Sequence, residues 1–386
     1  MKKIVFISHD ASRTGAPILL LNLIKLIKSN TNFEISVILK NPGVLENEFK
    51  NLVKTYIWYN ENISNYKEIL YTRFFINYLN KRREIKRRLL IRKKVNSADV
   101  IINNTITNGE LLAFLVKDFK GEIITYVHEL KLGFQRFATP LGISQTINLS
   151  HKIAVPSNAV RQNLLNSFNC STDKIDFLNY YIPPVLMSQS PLIQTKGKKE
   201  VLVIGGCGTL DWRKGIDIFI MAAISLKYLG YGQLFKFIWK GALKNSIQYE
   251  ECIYDIRKAH IEDRFEFLNA DNNVADFYKE IDLLFLSSRE DPFPLSVLEA
   301  ASFSKPVICF KDAGGATEFI QMDAGSVVSY MNISEIVEEL LEYHNNQSLI
   351  EEKGEIGFKR LKKLHHDEKL ILKQFINLIG TKGKCH

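Results

Sequence analysis

Short apolar runs alternate with amphipathic segments along most of the chain, and this alternation is the feature that most limits the folds available to it. Strands that alternate with helices predict a parallel sheet with helices on both faces. In the first half, the predicted strands are residues 3–7, 34–39, 100–103 and 123–127, and a helix is predicted over residues 18–28.

The same pattern starts again at residue 200, after a stretch rich in Pro, Ser, Gln and Lys. The second set of predicted strands is residues 200–205, 235–239, 265–268, 283–287 and 306–310. The sequence therefore predicts an α/β protein with two Rossmann-like, doubly wound domains that face a central cleft and bind ligands at the carboxyl ends of their strands. The expected divisions are a first domain over 1–183, a linker over 184–199, a second domain over 200–364 and a C-terminal helix within 365–386 that returns to the first domain.

The net charge of +9 is concentrated in one segment. Residues 81–94 contain nine basic residues and one acidic residue, whereas the rest of the chain contains 42 basic and 41 acidic residues. Nucleic-acid binding usually requires basic charge along a whole face, so this distribution argues against nucleic acid as a partner.

Aromatic residues precede the basic segment at helical spacing, among them Phe74, Phe75 and Tyr78. A helix with apolar residues on one face and cations on the other suits an anionic membrane surface. The sequence thus predicts membrane docking through residues 81–94. The alternative is a solvated helix that covers the first domain.

The chain shows none of the signals of a membrane-spanning or secreted protein. No apolar run reaches the ~18 residues needed to cross a bilayer, and the apolar part of the first ten residues is too short for a signal peptide. The cysteines are scattered, odd in number and without metal-ligand spacing, at positions 170, 207, 252, 309 and 385. We therefore expect a cytoplasmic protein.

Two polar sites follow predicted strands of the first domain. The loop over residues 8–17 places Thr14, Gly15 and Ala16 before a helix, where free backbone N–H groups favour anions. The alternative for this loop is a plain connection between a strand and a helix. His128 follows another strand and is expected to project into the cleft, although a lone histidine is more often structural.

The loop after the first strand of the second domain combines glycines with two cations. Gly206 and Gly208 could begin a dinucleotide-binding turn, but Asp211 occupies the third glycine position and disfavours that interpretation. Arg213 and Lys214 instead lie beside a helix start, an arrangement that suits a diphosphate. A solvated basic turn is the alternative.

The stretch over residues 287–300 joins a buried strand to a charged, proline-containing turn and a helix. Pro294 suits the first helical turn, so the amides of Leu295 and Ser296 are expected to be free for a ligand. Glu299 lies about one turn into the helix, where its carboxylate can accept two hydroxyl hydrogen bonds, as a ribose would offer. Glu290 and Asp291 precede the helix, and either could instead stabilise its dipole.

These residues resemble a known family. The spacing of Asp291 and Glu299 resembles the E-x7-E region of retaining glycosyltransferases of the GT4 type, which have the GT-B fold. The family resemblance extends to the Arg213-Lys214-Gly215 loop, to His128 and to the segments over 155–161 and 314–318. The chain departs from the family by carrying an aspartate as the first acid, with Glu290 before it, and by carrying Thr209 where the family has an arginine.

The resemblance implies a metal-independent transferase without a cofactor, which moves a sugar from a nucleotide-diphosphate sugar to a hydroxyl of a glycan or lipid-linked acceptor. It implies bacterial surface polysaccharide or lipopolysaccharide synthesis, in the cytoplasm or peripherally on the inner face of the cell membrane. It assigns the ribose to Glu299 and the sugar to Asp291 or Glu290, with His128 facing the sugar. It assigns the diphosphate to Gly208, Arg213, Lys214, Pro294, Leu295 and Ser296. The alternatives are a sugar-nucleotide epimerase of the same fold and a non-catalytic nucleotide-sugar-binding protein.

Overall fold

The computed structural model describes residues 1–59, 70–184, 197–270 and 274–380, and it describes the side chains of the helix that begins at Leu70 only from residue 82 onward. Most of the predicted linker, residues 185–196, lies outside these described residues, as do the side chains of Phe74, Phe75 and Tyr78.

The first sheet is parallel throughout the described residues and has the strand order β3-β2-β1-β4-β5-β6-β7. Its strands are β1 (Lys3–Ser8), β2 (Glu34–Leu39), β3 (Lys54–Ile57), β4 (Val100–Asn104), β5 (Glu122–Tyr126), β6 (Lys152–Val155) and β7 (Ile175–Phe177).

The second sheet is also parallel where it is described, with the order β10-β9-β8-β11-β12-β13. Its strands are β8 (Leu202–Cys207), β9 (Phe235–Ala242), β10 (Phe265–Asn269), β11 (Leu283–Leu286), β12 (Val307–Phe310) and β13 (Gly325–Val328). Counted from its own first strand, this sheet repeats the order of the first six strands of the other sheet. In both sheets, the order of the strands therefore reverses beside the first strand. Open α/β sheets bind ligands at this point. The predicted fold class of two Rossmann-like domains is confirmed.

Helices connect the strands in both halves. Before residue 184 they are α1 (Gly15–Asn30), α2 (Glu46–Leu52), α3 (Leu70–Asn96), α4 (Gly109–Leu115), α5 (Lys131–Phe137), α6 (Pro140–Leu149) and α7 (Asn158–Phe168). After residue 197 they are α8 (Ile216–Tyr228), α9 (Ile247–Lys258), α10 (Val274–Glu280), α11 (Leu295–Ser302), α12 (Ala316–Ile320), α13 (Ile333–Asn345), α14 (Ser348–Leu364) and α15 (Glu368–Leu378).

The strands are apolar because helices cover both faces of each sheet. Ile4, Val5, Phe6 and Ile7 are all fully buried in β1, so successive side chains find apolar partners on opposite sides. In the second sheet, Phe219 packs edge-on against neighbouring aromatic rings and joins the helix layer to the strands. This packing fixes the carboxyl ends of the strands, where the predicted site residues lie.

The contacts of the chain divide it into two compact units. The first consists of Met1–Pro156, Val160–Tyr181 and Glu368–His386, and the second of Ser157–Ala159 and Ile182–Asp367. Helix α15 belongs to the first unit, where the ring of Phe375 stacks on that of Phe6 with their centroids 6.3 Å apart.

The structure corrects several predicted bounds. The first helix begins at Gly15 rather than residue 18, β9 continues to Ala242, and β5 ends at Tyr126. Strands β3, β6, β7 and β13 were not predicted, and each has only three or four residues. Pro294 is the N-cap of α11 rather than part of its first turn.

None of the helices in the described part of the chain combines the length and the apolar character that a membrane span requires.

Candidate functional site

The loop between β8 and α8 is shaped by two glycines with positive φ. Gly208 has φ +140°, and a Cβ atom there would lie 2.9 Å from Cγ of Lys214, so the aliphatic part of Lys214 crosses the space that a side chain would fill. Gly215 has φ +70°, and a Cβ atom there would lie 2.0 Å from the carbonyl oxygen of Ser287. The loop that carries Lys214 is thereby held tightly against the loop that follows β11.

Lys214 and Asp291 form an ion pair at the meeting point of these two loops. Lys214 Nζ lies 2.6 Å from Asp291 Oδ2, and Arg213 Nη1 lies 3.9 Å from the same oxygen. Arg213 Nη1 also donates to the backbone carbonyl of Glu290 at 2.9 Å. Of the two acids that the sequence left open, the buried carboxylate of Asp291 contacts the cations through its side chain, and Glu290 contacts Arg213 through its backbone.

Arg289, which follows β11, forms hydrogen bonds to the loop between β8 and α8 and to the first turn of α8. The sequence analysis did not single it out. Its guanidinium makes two hydrogen bonds with the Asp217 carboxylate, at 2.9 and 2.7 Å, and donates to the carbonyl oxygen of Trp212 at 2.5 Å. It also lies 4.7 Å from the ring centroid of Trp212. Its position three residues after the buried strand β11 was the available sequence signal, but that position does not reveal the partner 72 residues away.

Glu299 lies on α11, which begins at Leu295 with Pro294 as its N-cap. The first amides of a helix, here those of Leu295 and Ser296, have no helical acceptor. One oxygen of the Glu299 carboxylate accepts a hydrogen bond of 2.9 Å from the hydroxyl of Tyr278, a buried residue on α10. The sequence reasoning missed Tyr278, because a single tyrosine in a short helix carries no signal of where its hydroxyl lies.

Two ionisable groups in this region have perturbed pKa values. Burial raises the pKa of Glu299 to about 7, and the hydrogen bond from Tyr278 acts in the opposite direction. Burial and the neighbouring Glu299 raise the pKa of Cys207 to about 11, and Lys214 opposes this. Cys207 is therefore a neutral thiol that is influenced by both Glu299 and Lys214. A buried carboxyl with a pKa near neutrality is typical of functional sites.

The first unit has a separate polar cluster around His128, just beyond the end of β5. His128 Nε2 lies 2.9 Å from Asn104 Oδ1, and His128 Nδ1 lies 2.9 Å from the Tyr180 hydroxyl. Because Asn104 Nδ2 donates to the carbonyl of Ala16 at 3.2 Å, its Oδ1 is the atom that accepts from Nε2–H. Nδ1 then accepts from Tyr180, and burial together with nearby His9 lowers the pKa of His128 to about 3. His128 is held as one neutral tautomer.

The turn after β4 is strained beside this cluster. Thr105 has φ +99°, a conformation that a β-branched residue rarely adopts. Glu129 holds the turn by accepting from the amide of His128 at 2.9 Å and from that of Ile106 at 3.4 Å, and burial raises its pKa to about 7. Strain of this kind is found at functional sites.

Of the predicted loop residues Thr14, Gly15 and Ala16, only Ala16 has a described contact with this cluster. Ala16 is linked to His128 through Asn104, and the Thr14 hydroxyl lies 2.9 Å from that of Ser12. The structure thus brings the predicted residues together in two sets, one in each unit. Within the described residues, no group of three or more His, Cys, Asp or Glu side chains is arranged to hold a metal ion.

The two parallel sheets define an α/β protein with two Rossmann-like units, and Lys214, Asp291 and Glu299 form a candidate anion- and hydroxyl-binding site in the second unit. Residues 191–360 match the family model described as Glycosyl transferases group 1.

Two curated relatives and one solved structure illustrate the similarity. The uncharacterized glycosyltransferase MJ1178 of Methanocaldococcus jannaschii is 25% identical over 306 residues, covering 71% of this chain and 83% of the relative. The lipopolysaccharide core biosynthesis mannosyltransferase LpsB of Rhizobium meliloti is 26% identical over 141 residues, or 34% of this chain and 39% of the relative. The crystal structure of Anabaena Alr3699/HepE in complex with UDP and glucose has a TM-score of 0.79 at 17% identity, covering 99% of this chain and all of that one. The structural similarity to the Anabaena protein shows that the two chains share a fold.

Proposed function

We propose that the chain is a retaining glycosyltransferase that moves a sugar from a nucleotide-diphosphate sugar to a hydroxyl of a glycan or lipid-linked acceptor. The observation that carries this proposal is the cluster of Lys214, Asp291 and Glu299 inside a domain that matches the glycosyl transferases group 1 model. UDP is the first nucleotide to test, because the Anabaena structure contains it. The name of the Rhizobium relative supports surface polysaccharide or lipopolysaccharide synthesis as the setting.

The diphosphate of the donor is assigned to the cations and to the start of α11. An ammonium group has three donors, so Lys214 can bind a phosphate oxygen as well as Asp291. Arg213 and the first amides of α11, those of Leu295 and Ser296, add further donors. Negative charge grows on the diphosphate as the glycosidic bond breaks, and fixed donors stabilise that charge without reorganisation.

Asp291 and Glu299 are assigned to the hydroxyl groups of the donor. Glu299 accepts the ribose hydroxyls, and Asp291 accepts hydroxyls of the sugar. In the absence of donor, the Asp291 carboxylate neutralises Lys214 at 2.6 Å. When the diphosphate binds Lys214, Asp291 loses part of its pairing and becomes a stronger acceptor for the sugar. The binding of phosphate and the recognition of sugar are therefore coupled through one ion pair.

His128 is assigned to hydroxyl binding in the first unit. As a neutral imidazole with a pKa of about 3, it can serve as a hydrogen-bonding group but not as a cation near neutral pH. Its tautomer is fixed by Asn104 and Tyr180, which orient the ring. Both ring nitrogens are occupied by these two partners, so a sugar hydroxyl would bind His128 by replacing one of them.

A thermal-shift screen of nucleoside diphosphates and their sugars tests the donor site. A ligand at a hundred times its dissociation constant stabilises a protein by about 2.7 kcal/mol. We expect UDP or a UDP-sugar to raise the melting temperature, and Glu299→Ala to abolish the rise because the ribose loses its acceptor. Glu355→Ala removes an exposed carboxylate elsewhere in the same unit and should leave the rise intact. If no nucleotide raises the melting temperature, the donor site is wrong.

Product analysis separates the proposed transfer from its alternatives. A transferase releases a nucleoside diphosphate and extends the acceptor, whereas an epimerase returns a changed nucleotide sugar. A non-catalytic binding protein would give a thermal shift and no product. Retention is checked from the anomeric configuration of the new linkage by NMR.

We also propose peripheral attachment to an anionic membrane surface through α3. The described part of this helix exposes Ile85, Leu89 and Leu90 at 50, 60 and 54% of their surface. Arg83, Lys86 and Lys93 are exposed on the same helix. Three further cations instead form ion pairs within the unit: Arg88 with Glu84, Arg92 with Asp118 and Lys94 with Glu34. The exposed cations and aliphatic side chains together suit an anionic lipid surface.

Flotation with anionic liposomes tests this attachment. Each cation near such a surface contributes about 1 kcal/mol. The double variant Lys86→Gln, Lys93→Gln should therefore weaken binding roughly thirtyfold at low salt. Lys117→Gln, Lys120→Gln removes the same charge from exposed positions outside α3 and should bind nearly as the wild type does. Equal losses in the two double variants would show that net charge, rather than this helix, controls binding.

A further inference from the structure

The hydroxyl of Tyr278 lies at the centre of a polar cluster beneath Glu299. It is 2.9 Å from Glu299 Oε2, 3.2 Å from the carbonyl oxygen of Ser296 and 3.9 Å from Cys207 Sγ. A phenol has one proton to donate. Of the acceptors within reach, an ionised carboxylate forms the strongest hydrogen bond. The contact is therefore strongest when Glu299 is charged.

The ring of Tyr278 is fixed by its neighbours. It is 1% exposed, stacks on Phe303 with the ring centroids 5.6 Å apart, and meets Phe277 edge-on at 4.9 Å. A buried aromatic ring packed in this way cannot move its hydroxyl to follow a displaced carboxylate. Tyr278 thus defines where the Glu299 carboxylate lies.

Two elements contribute groups near the Glu299 carboxylate, and a third contributes an acceptor to Tyr278. Tyr278 on α10 donates to the carboxylate, and Cys207 at the end of β8 contributes a neutral thiol. The carbonyl oxygen of Ser296, on Glu299's own helix, is a second acceptor for the Tyr278 hydroxyl. The charge of Lys214 opposes the rise that burial and Glu299 cause in the pKa of Cys207. Burial raises the pKa of Glu299, and the Tyr278 hydrogen bond opposes that rise.

We propose that Tyr278 is a positioning residue of the donor site, which holds the Glu299 carboxylate in place and keeps it charged so that it can accept the ribose hydroxyls. The part that concerns ribose rests on the proposed function. The part that concerns Glu299 rests only on the geometry of the cluster. Tyr278 itself contacts neither the nucleotide nor the reacting atoms in this proposal.

Tyr278→Phe removes the hydroxyl and keeps the ring. Because the hydrogen bond favours the charged form of Glu299, its loss should move the ionisation of Glu299 to higher pH. Below its midpoint, the ionised fraction of a carboxyl falls about tenfold per pH unit. The affinity for ribose should therefore fall severalfold at neutral pH and recover as the pH is raised. A purely structural defect would lower the affinity equally at every pH.

Infrared titration of the ligand-free protein measures Glu299 directly. The carboxyl band of Glu299 is isolated by subtracting the spectrum of Glu299→Gln, and its midpoint is compared between the wild type and Tyr278→Phe. The matched control is Tyr343→Phe, which removes another buried hydroxyl of the same unit, 3.1 Å from Ser326 Oγ. We expect a higher midpoint in Tyr278→Phe only. An unchanged midpoint there would overturn the inference.

Calorimetric titration with UDP and with 2′,3′-dideoxy-UDP gives the second readout. The two ligands share the same phosphates, so a difference between their pH profiles reports the ribose hydroxyls alone. The UDP profile should move to higher pH in Tyr278→Phe, and the dideoxy profile should not move. If the infrared midpoint shifts but the UDP profile does not, Tyr278 still controls Glu299 and the ribose assignment fails. If UDP does not bind at all, the proposed UDP donor is wrong, and the infrared result alone decides the role of Tyr278.

Discussion

Replacing Lys214 with alanine is expected to slow sugar transfer by roughly ten- to a hundredfold. A charge-assisted hydrogen bond contributes about 1.5–3 kcal/mol, and each 1.36 kcal/mol of barrier changes the rate about tenfold. The same change leaves the buried Asp291 carboxylate without the ammonium that lies 2.6 Å from it. A buried charge that keeps only the more distant Arg213, 3.9 Å away, is costly, so we also expect a loss of roughly 3 kcal/mol in the free energy of unfolding.

Asp291→Asn separates these two effects of Lys214. An amide does not require a cation, so the double variant Lys214→Ala, Asp291→Asn should recover most of the lost stability, as measured by urea unfolding. It should not recover UDP affinity. The single variant Asp291→Asn should bind UDP more tightly than the wild type, because Lys214 is no longer neutralised. Wild-type UDP affinity in Lys214→Ala would contradict the phosphate assignment.

Gly215→Ala is expected to destabilise the protein by roughly 3 kcal/mol or more. The new Cβ atom would lie 2.0 Å from the carbonyl oxygen of Ser287, a backbone atom that cannot turn away. The loop after β8 would have to separate from the loop after β11, and these loops carry Lys214 and Asp291. We therefore expect the thermal shift with UDP to be lost as well.

Gly230→Ala is the matched control for that change. Gly230 has φ +85°, close to the +70° of Gly215, but nothing lies within 4 Å of its added Cβ atom. This variant should cost only the backbone strain, about 1–2 kcal/mol, and should keep the response to UDP. Similar losses in the two variants, measured by thermal unfolding, would mean that the contact with Ser287 contributes little.

The sequence was sufficient to predict the fold class because both sheets are buried on two faces. Their longer strands, such as β1 and β2, are continuous apolar runs that contrast clearly with the polar loops around them. Strands β3 and β7 escaped prediction because they are short and at the edges of the first sheet, where Asp176 and Phe177 are exposed. An edge strand has a neighbouring strand on one side only, so it can form with fewer buried apolar side chains.

The site was predictable where one loop carried several chemical groups in a row. Arg213, Lys214, Asp291 and Glu299 could be selected in this way, and the structure places the first three at one ion-pair cluster. Arg289, Tyr278, Asn104 and Tyr180 could not, because their roles depend on partners brought close only by folding. The Tyr180 hydroxyl, for example, meets a ring that is 52 residues away in the sequence.

The position of α15 has a consequence for how the chain is made. A ribosome extends a chain by about 5–20 residues per second, and domains generally fold as they emerge. The first unit cannot complete its packing in that order, because Phe375, which covers Phe6, is synthesised after the whole second unit. Lys2 likewise donates to the carbonyl of Ile379, a residue that is synthesised 377 residues later. Helix α15 therefore closes the first unit after the second unit has been translated, and a chain that lacks α15 would expose the apolar surface around β1 to chaperones and proteases.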